Sequence, residues 1–334
     1  MPKMRKLIFP VLLFLAIGLV FISLSEIEQT VLVFASANLV LLAGAIILVF
    51  IYILIEAFNY RVLYLLLGID EPYRRLLLLA SASSFINVVA PSGGFGGIAV
   101  FVDDAGKRGY SRGLAAAAGA LVLFMEYAGF SVVLALGMGV LFRRNDLNPG
   151  EITATLVMLV ILVGLGFGIY LGAVSGERLG RSLQKIAHSL NRFLWVFTKK
   201  EYFSEIAAHT FGQEISEGLG LVRNQKKNLL IPFAISTIAK GIQALILAMV
   251  FMAFEVEFSV GTVVAGFSLA YLFLVVSPTP YGIGIVESIM PMALLSLNIP
   301  WSQAVITTLV YRGITFWIPL ALGAVSLKIL EQAD

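Results

Sequence analysis

The 334-residue chain is 59% hydrophobic and only 13% charged, whereas soluble domains carry about 45–50% apolar residues and about a quarter charged. That much apolar surface exceeds what a soluble fold of this length can hide, so lipid is expected as the solvent for most of it. Cysteine is absent, which excludes disulfides, thiolate metal sites and cysteine nucleophiles. A formal charge of +3 gives no argument for nucleic acid as a partner.

The expected class is an all-α polytopic membrane protein with six transmembrane helices and two re-entrant broken-helix pairs. A span needs about 20 apolar residues. The first candidate is Leu7–Leu24, preceded by Lys3, Arg5 and Lys6. Its apolar run is too long for a signal peptide and no small-x-small cleavage site follows, so it reads as a retained span. The second span is Val31–Ile55. Leu76 to Val102 is apolar but interrupted by Ala90-Pro91-Ser92-Gly93-Gly94-Phe95-Gly96-Gly97. Proline removes a backbone donor and glycine weakens a helix, so a plain span across it is disfavoured. Gly113–Phe142 and Ile152–Val174 are the third and fourth spans.

Residues 175–228 form a charged insert. In it Leu179, Leu183, Ile186, Leu190, Phe193, Leu194 and Phe197 recur at helical spacing, with Arg178, Arg181, Lys185 and Arg192 between them. Such a helix suits either the inner membrane interface, held by anionic lipid, or the floor of the helix bundle. His188 and His209 belong to these faces, and no metal cluster is expected in the apolar part. Leu229–Phe254 is the fifth span. Val260 to Leu297 is again broken, by Ser277-Pro278-Thr279-Pro280-Tyr281-Gly282-Ile283-Gly284, and Gln303–Leu327 is the sixth span. Non-helical backbone at membrane depth is tolerated only inside protein or along a wet cavity.

With the N-terminus inside, the inner segments hold 19 of the basic residues and the outer loops hold only Arg143 and Arg144. That asymmetry places both termini in the cytoplasm of a cell (inner or plasma) membrane. Arg74 and Arg75 before the first break, and Lys107 and Arg108 after it, put both ends of that segment on the same side.

The two broken stretches resemble each other. Val88-Val89-Ala90-Pro91-Ser92 aligns with Val275-Val276-Ser277-Pro278-Thr279, and Leu134-Ala135-Leu136-Gly137 with Leu320-Ala321-Leu322-Gly323. Each half then reads as span, span, re-entrant pair, span, with opposite starting sides. The expected repeats are residues 1–142 and 143–334, the latter carrying the insert 175–228. Inverted repeats of this kind place a substrate site near the midplane where broken helices meet, and half-helix N-termini suit phosphate or carboxylate.

Four ionisable residues fall within apolar stretches: Glu126, Lys240, Glu287 and Arg312. Each costs at least about 2.5–3.5 kcal/mol at bilayer depth, so each needs a partner or a task. One reading is a structural Glu126–Arg312 pair. The other makes Arg312 and Lys240 anchors for an anionic headgroup, with the glutamates balancing charge or carrying a proton. Asp103-Asp104 reads as a solvated acidic pair at the inner surface rather than a metal site.

Asn87 followed by Pro91-Ser92-Gly93-Gly94, the run Ser277 to Gly284 with Glu287, and Tyr311-Arg312 together resemble the lysylphosphatidylglycerol synthase transmembrane, or flippase-like domain, family. Tyr281 stands where that pattern has a glycine, and no basic residue closely follows the first glycine cluster. The resemblance implies a membrane part that moves an aminoacylated or phosphate-bearing lipid between leaflets, with aminoacylation done by a separate domain. Its motif residues Asn87, Pro91, Ser92, Gly93, Gly94, Pro278, Thr279, Gly282, Gly284 and Tyr311 join the four charged residues as the expected headgroup site. The last span ends seven residues before Asp334, so a translocating part without the synthase is expected. It would have no cofactor and no enzymatic activity, a membrane lipid as substrate, and a homo-oligomer or a separate synthase or glycosyltransferase as partner. The alternatives are an intramembrane lipid-modifying enzyme and a non-transporting partner of such an enzyme. Against the enzyme, the spans lack HExxH, GxGD and a Ser/His pair.

Overall fold

A computed structural model describes residues 37–89, 95–144, 147–198, 204–223 and 225–333. The expected first span, Leu7–Leu24, lies outside them, as do Pro91, Ser92, Gly93 and Gly94 of the first break. The described residues are helical throughout, with no strand among them. In chain order they form α1 (Leu39–Leu66), α2 (Tyr73–Val89), α3 (Phe95–Lys107), α4 (Arg112–Arg144), α5 (Pro149–Val174), α6 (Gly176–Thr198), α7 (Glu205–Arg223), α8 (Leu230–Ala253), α9 (Val260–Val276), α10 (Ile285–Ser296), α11 (Trp301–Arg312) and α12 (Ile318–Ala333). The turn Gly313–Trp317 joins α11 to α12 as one π-helical turn, so Trp301–Gln332 runs as a single apolar helix.

Among the described residues five helices are long and apolar enough to cross a membrane: α1, α4, α5, α8 and the joined α11–α12. Their outward residues are apolar. Leu39, Val40 and Phe58 on α1, and Val160, Val163 and Phe167 on α5, are all exposed, as expected where the solvent is lipid rather than water. The chain is thus an all-α polytopic membrane protein. The helices flanking the breaks have 17, 13, 17 and 12 residues, short of the roughly 20 that cross the hydrocarbon.

Helix α1 runs eleven residues beyond the expected end at Ile55. The helix continues through Glu56 and Asn59. It stops instead at Gly68, whose φ of 78° is open to a residue without Cβ. There the Ile69 N–H donates to the Tyr64 carbonyl (2.9 Å) and the Gly68 N–H to that of Leu65 (3.1 Å), which satisfies carbonyls left over at the helix end.

The fold divides into two compact units, to which the long helices contribute different segments. One unit comprises residues 50–133, 155–241 and 318–334; the other comprises 1–49, 134–154 and 242–317. The core of the first unit gathers Tyr60, Leu63, Leu76, Leu79, Phe101, Ala118 and Leu121, with the Tyr60 and Phe101 rings stacked at 3.9 Å. Small residues let its helices approach closely. A Cβ on Gly129 of α4 would lie 2.8 Å from the backbone nitrogen of Thr237 in α8. In the second unit Leu247, Phe251, Phe267, Leu272, Met290, Leu294 and Ile306 are almost wholly buried.

The charged insert is a hairpin of α6 on α7. Gly180 and Gly212 meet backbone to backbone at the crossing. The face that α6 turns inward carries Gly180 and Ala187, both buried, with Leu179 and Leu183 partly buried beside them, while Ile186 is exposed. Helix α7 in turn holds the start of α4. The Glu214 carboxylate accepts from Ser111 Oγ (2.8 Å) and the Gly113 N–H (3.0 Å). At the same end Asp104 is buried and accepts twice from the Arg75 guanidinium. It is therefore not the solvated acid expected; only Asp103 is, beside Lys107. Burial holds the Glu71 carboxyl above its ordinary range, against the pull of Arg108.

Candidate functional site

The second break supplies the most organised polar site. Helix α9 ends at Val276, and Ser277 and Thr279 continue in extended backbone. The Thr279 N–H donates to Ser277 Oγ (3.1 Å), and the two hydroxyls lie 2.8 Å apart. The chain then turns left-handed at Tyr281 (φ 51°), Gly282 (φ 72°) and Gly284 (φ 81°). Glycine was expected at position 281, and the backbone there takes the conformation that favours glycine. Tyrosine accepts a cost of about 1–2 kcal/mol for it. At Gly282 a Cβ would press on Val286 and on the Leu274 backbone.

Helix α10 starts immediately after Gly284. Glu287, in its first turn, accepts from the Gly284 N–H (2.8 Å), closing the helix start from below. Its other oxygen accepts from Arg312 Nε at 2.6 Å, and Arg312 Nη2 donates to the Tyr281 carbonyl at 3.1 Å. One guanidinium therefore ties the break, the start of α10 and the end of α11 together. The π turn after Arg312 lets Phe316 return to the same face. The guanidinium lies 4.8 Å from the Phe316 ring centroid and 5.9 Å from that of Tyr281. Arg312 is only 4% exposed.

Beside it is a small cleft, with about 20 Å³ of water-accessible space, lined by Gln243, Tyr271, Tyr281, Tyr311, Arg312 and Thr315 among others. Gln243 is 7% exposed and its side-chain carbonyl oxygen has no hydrogen-bond partner. The cleft thus offers a buried cation, an unsatisfied amide oxygen and three phenol rings. The structure brings Arg312, Glu287, Tyr311, Gly282 and Gly284 together around the break. Gln243 and Tyr271 were missed. Gln243 follows Ser236 and Lys240 at spacings of seven and three, one polar stripe down an apolar helix, and that stripe was the available signal.

Lys240 and Glu126 form a separate cluster in the other unit. Lys240 is completely buried and its Nζ lies 3.7 Å from Glu126 Oε2. The structural Glu126–Arg312 pair, one of the two readings of these charges, is not the one formed: Lys240 pairs with Glu126 and Arg312 with Glu287. Sequence register cannot distinguish these pairings, because it leaves open which helix faces turn toward each other. Asn87 is engaged locally, its side-chain oxygen accepting from the Gly97 N–H in the first turn of α3 (2.7 Å).

Fold and site define an all-helical integral membrane protein with a buried arginine at a broken membrane segment. A family model described as "Lysylphosphatidylglycerol synthase TM region" matches residues 8–323, and the chain belongs to that family. Two relatives, each described as "UPF0104 membrane protein" and both from Methanothermobacter thermautotrophicus, are similar to it. One is 30% identical over 198 residues, covering 58% of this chain and 57% of the relative. The other is 23% identical over 319 residues, covering 94% and 91%.

Proposed function

We propose that the chain moves a lipid with a phosphate-bearing or aminoacylated headgroup between the leaflets of a cell membrane, with both termini cytoplasmic. The observation that carries this is Arg312, a cation held almost out of solvent by Glu287 and the Tyr281 carbonyl, yet lining a cleft at a break in the membrane helices. A charge retained in apolar surroundings beside an open cleft is suited to bind an opposite charge in transit. The family membership supports a lipid-related role. The two halves, 1–142 and 143–334, act on this reading as inverted repeats, each contributing one broken segment. The acyl chains remain in the bilayer while the headgroup crosses. A lipid-modifying synthase or glycosyltransferase would act as a separate partner.

The test is a leaflet-specific lipid assay on the purified chain in liposomes. Arginine binds two oxygens with a planar fork whereas lysine acts as a point charge. Arg312→Lys is therefore expected to slow translocation roughly tenfold or more, from the loss of about 1.5–3 kcal/mol per charged hydrogen bond. Translocation at the wild-type rate by folded Arg312→Ala would remove the headgroup role.

A further inference from the structure

Arg312 suits the anionic part of a headgroup, but a second polar group on the same cleft has the opposite chemistry. From Ile242 to Ala253 of α8, Gln243 is the one polar residue. It lines the cleft with Arg312 and is 7% exposed, and its side-chain oxygen has no hydrogen-bond partner among the described residues. An amide oxygen accepts and never donates, whereas a guanidinium donates and never accepts. The two therefore ask for different atoms of one ligand: an anionic oxygen for Arg312, and an N–H or O–H for Gln243.

Arg312 has donors to give. Its Nε–H goes to Glu287 and one Nη2–H to the Tyr281 carbonyl, which leaves the rest of the five-donor guanidinium for a ligand. The size of the cleft limits what can reach Gln243. Its water-accessible space of about 20 Å³ is little more than the roughly 10–15 Å³ that one water requires. A hydroxyl or an ammonium group is of that size. A trimethylammonium group is several times larger and carries no N–H. All the lining residues lie between Gln243 and Thr315, within one compact unit.

We propose that Gln243 and Arg312 form a headgroup pocket selective for phospholipids whose headgroup carries a hydroxyl or N–H donor next to the phosphate. Arg312 donates to the phosphate, and the Gln243 oxygen accepts from the donor. Only the small donor enters the cleft, so a headgroup ending in a quaternary ammonium is rejected both by size and by the missing hydrogen bond. The role of this pocket in transport rests on the lipid-translocase reading, to which it adds the headgroup chemistry.

The test uses the full chain and two matched pairs of lipids. Phosphatidylglycerol and phosphatidylmethanol share one negative charge and differ in hydroxyls; phosphatidylethanolamine and phosphatidylcholine are both zwitterions and differ in N–H. Short-chain forms are titrated against the purified protein in detergent. In at least one pair the donor-bearing lipid is expected to bind about fivefold tighter or more, the worth of one neutral hydrogen bond. The pair that shows it names the donor as hydroxyl or ammonium. Gln243→Met, close in size, should erase the preference and melt no lower than wild type without lipid, because the oxygen has no bond to lose. Preference in neither pair, or one that persists in Gln243→Met, overturns the pocket. So does a Gln243→Met variant that fails to fold or melts well below wild type, since the amide would then be bonded within the protein. In liposomes, acyl-labelled forms of the four lipids should move in the order of binding. Equal rates within both pairs overturn the selectivity and uphold translocation. If none of the four moves, the translocase reading falls, and the binding preference still decides the pocket.

Discussion

Arg312 is tied into the structure by Glu287, and the pair lets its structural part be measured apart from the proposed headgroup role. Removing one member of a buried ion pair typically costs about 3–5 kcal/mol, because the other charge is left uncompensated. Glu287 is partly exposed, with 29% of its side chain accessible, so Arg312→Met should cost somewhat less, about 2–3 kcal/mol. Glutamine at position 287 would keep the bond to the Gly284 N–H while removing the charge. The double variant Arg312→Met/Glu287→Gln is therefore expected to melt above Arg312→Met alone in detergent. A lower melting temperature for the double variant would show that the pair is not held by charge. Tyr281 gives a second prediction at this scale. Glycine there would relieve the left-handed strain but lose the ring near Arg312 and Phe316. Alanine loses the ring and keeps the strain. Tyr281→Gly should therefore be more stable than Tyr281→Ala, by about 1 kcal/mol. Equal stabilities would argue against a conformational origin for the family's glycine at this position.

Glycine sets the closeness of the helix pairs. In the α6–α7 hairpin a Cβ on Gly212 would come within 2.7 Å of Gly180 Cα and 2.8 Å of its nitrogen. Backbone cannot move aside as a flexible side chain can, so a larger residue must separate the helices. Overpacking of this kind costs about 1–3 kcal/mol. Gly212→Val is expected to speed limited proteolysis within residues 176–223. Helix α4 is held at its start by Glu214 of α7, so cleavage should spread to the 108–112 turn at high protease concentration. Proteolysis unchanged from wild type would mean that the crossing contributes nothing to the hairpin. The breaks follow a different logic. Ser277 to Gly284 contains two prolines and two glycines, which stop α9, and the Glu287 cap restarts a helix at Ile285, after eight intervening residues.

The whole-molecule arrangement concerns which surfaces face which side of the membrane. Basic residues concentrate in the segments assigned to the inside, and the lack of native cysteine makes single-cysteine labelling clean. Gly150 and Lys107 are both exposed. In sealed cells Gly150→Cys should react with an impermeant maleimide, and Lys107→Cys should react only after permeabilisation. External labelling of Lys107→Cys would sink the proposed orientation and the inverted repeat with it.

The class of the protein, the approximate position of four of the five spans among the described residues and the presence of a break before Glu287 were legible in the sequence alone. They depend on composition, on runs of apolar residues and on the local chemistry of proline and glycine, all of which act within a few residues of chain. The family pattern also singled out Tyr311 and Arg312, and marked position 281 as a place for glycine, which the positive φ of Tyr281 explains. Which acid neutralises which base was decided only by the tertiary structure. Glu126 lies 114 residues from Lys240 and 186 from Arg312, and nothing local in the sequence ranks one partner above the other. The fold alone placed the unsatisfied oxygen of Gln243 beside the cleft that Arg312 lines. Burial and pairing arise between helices, and only helix packing determines which faces meet.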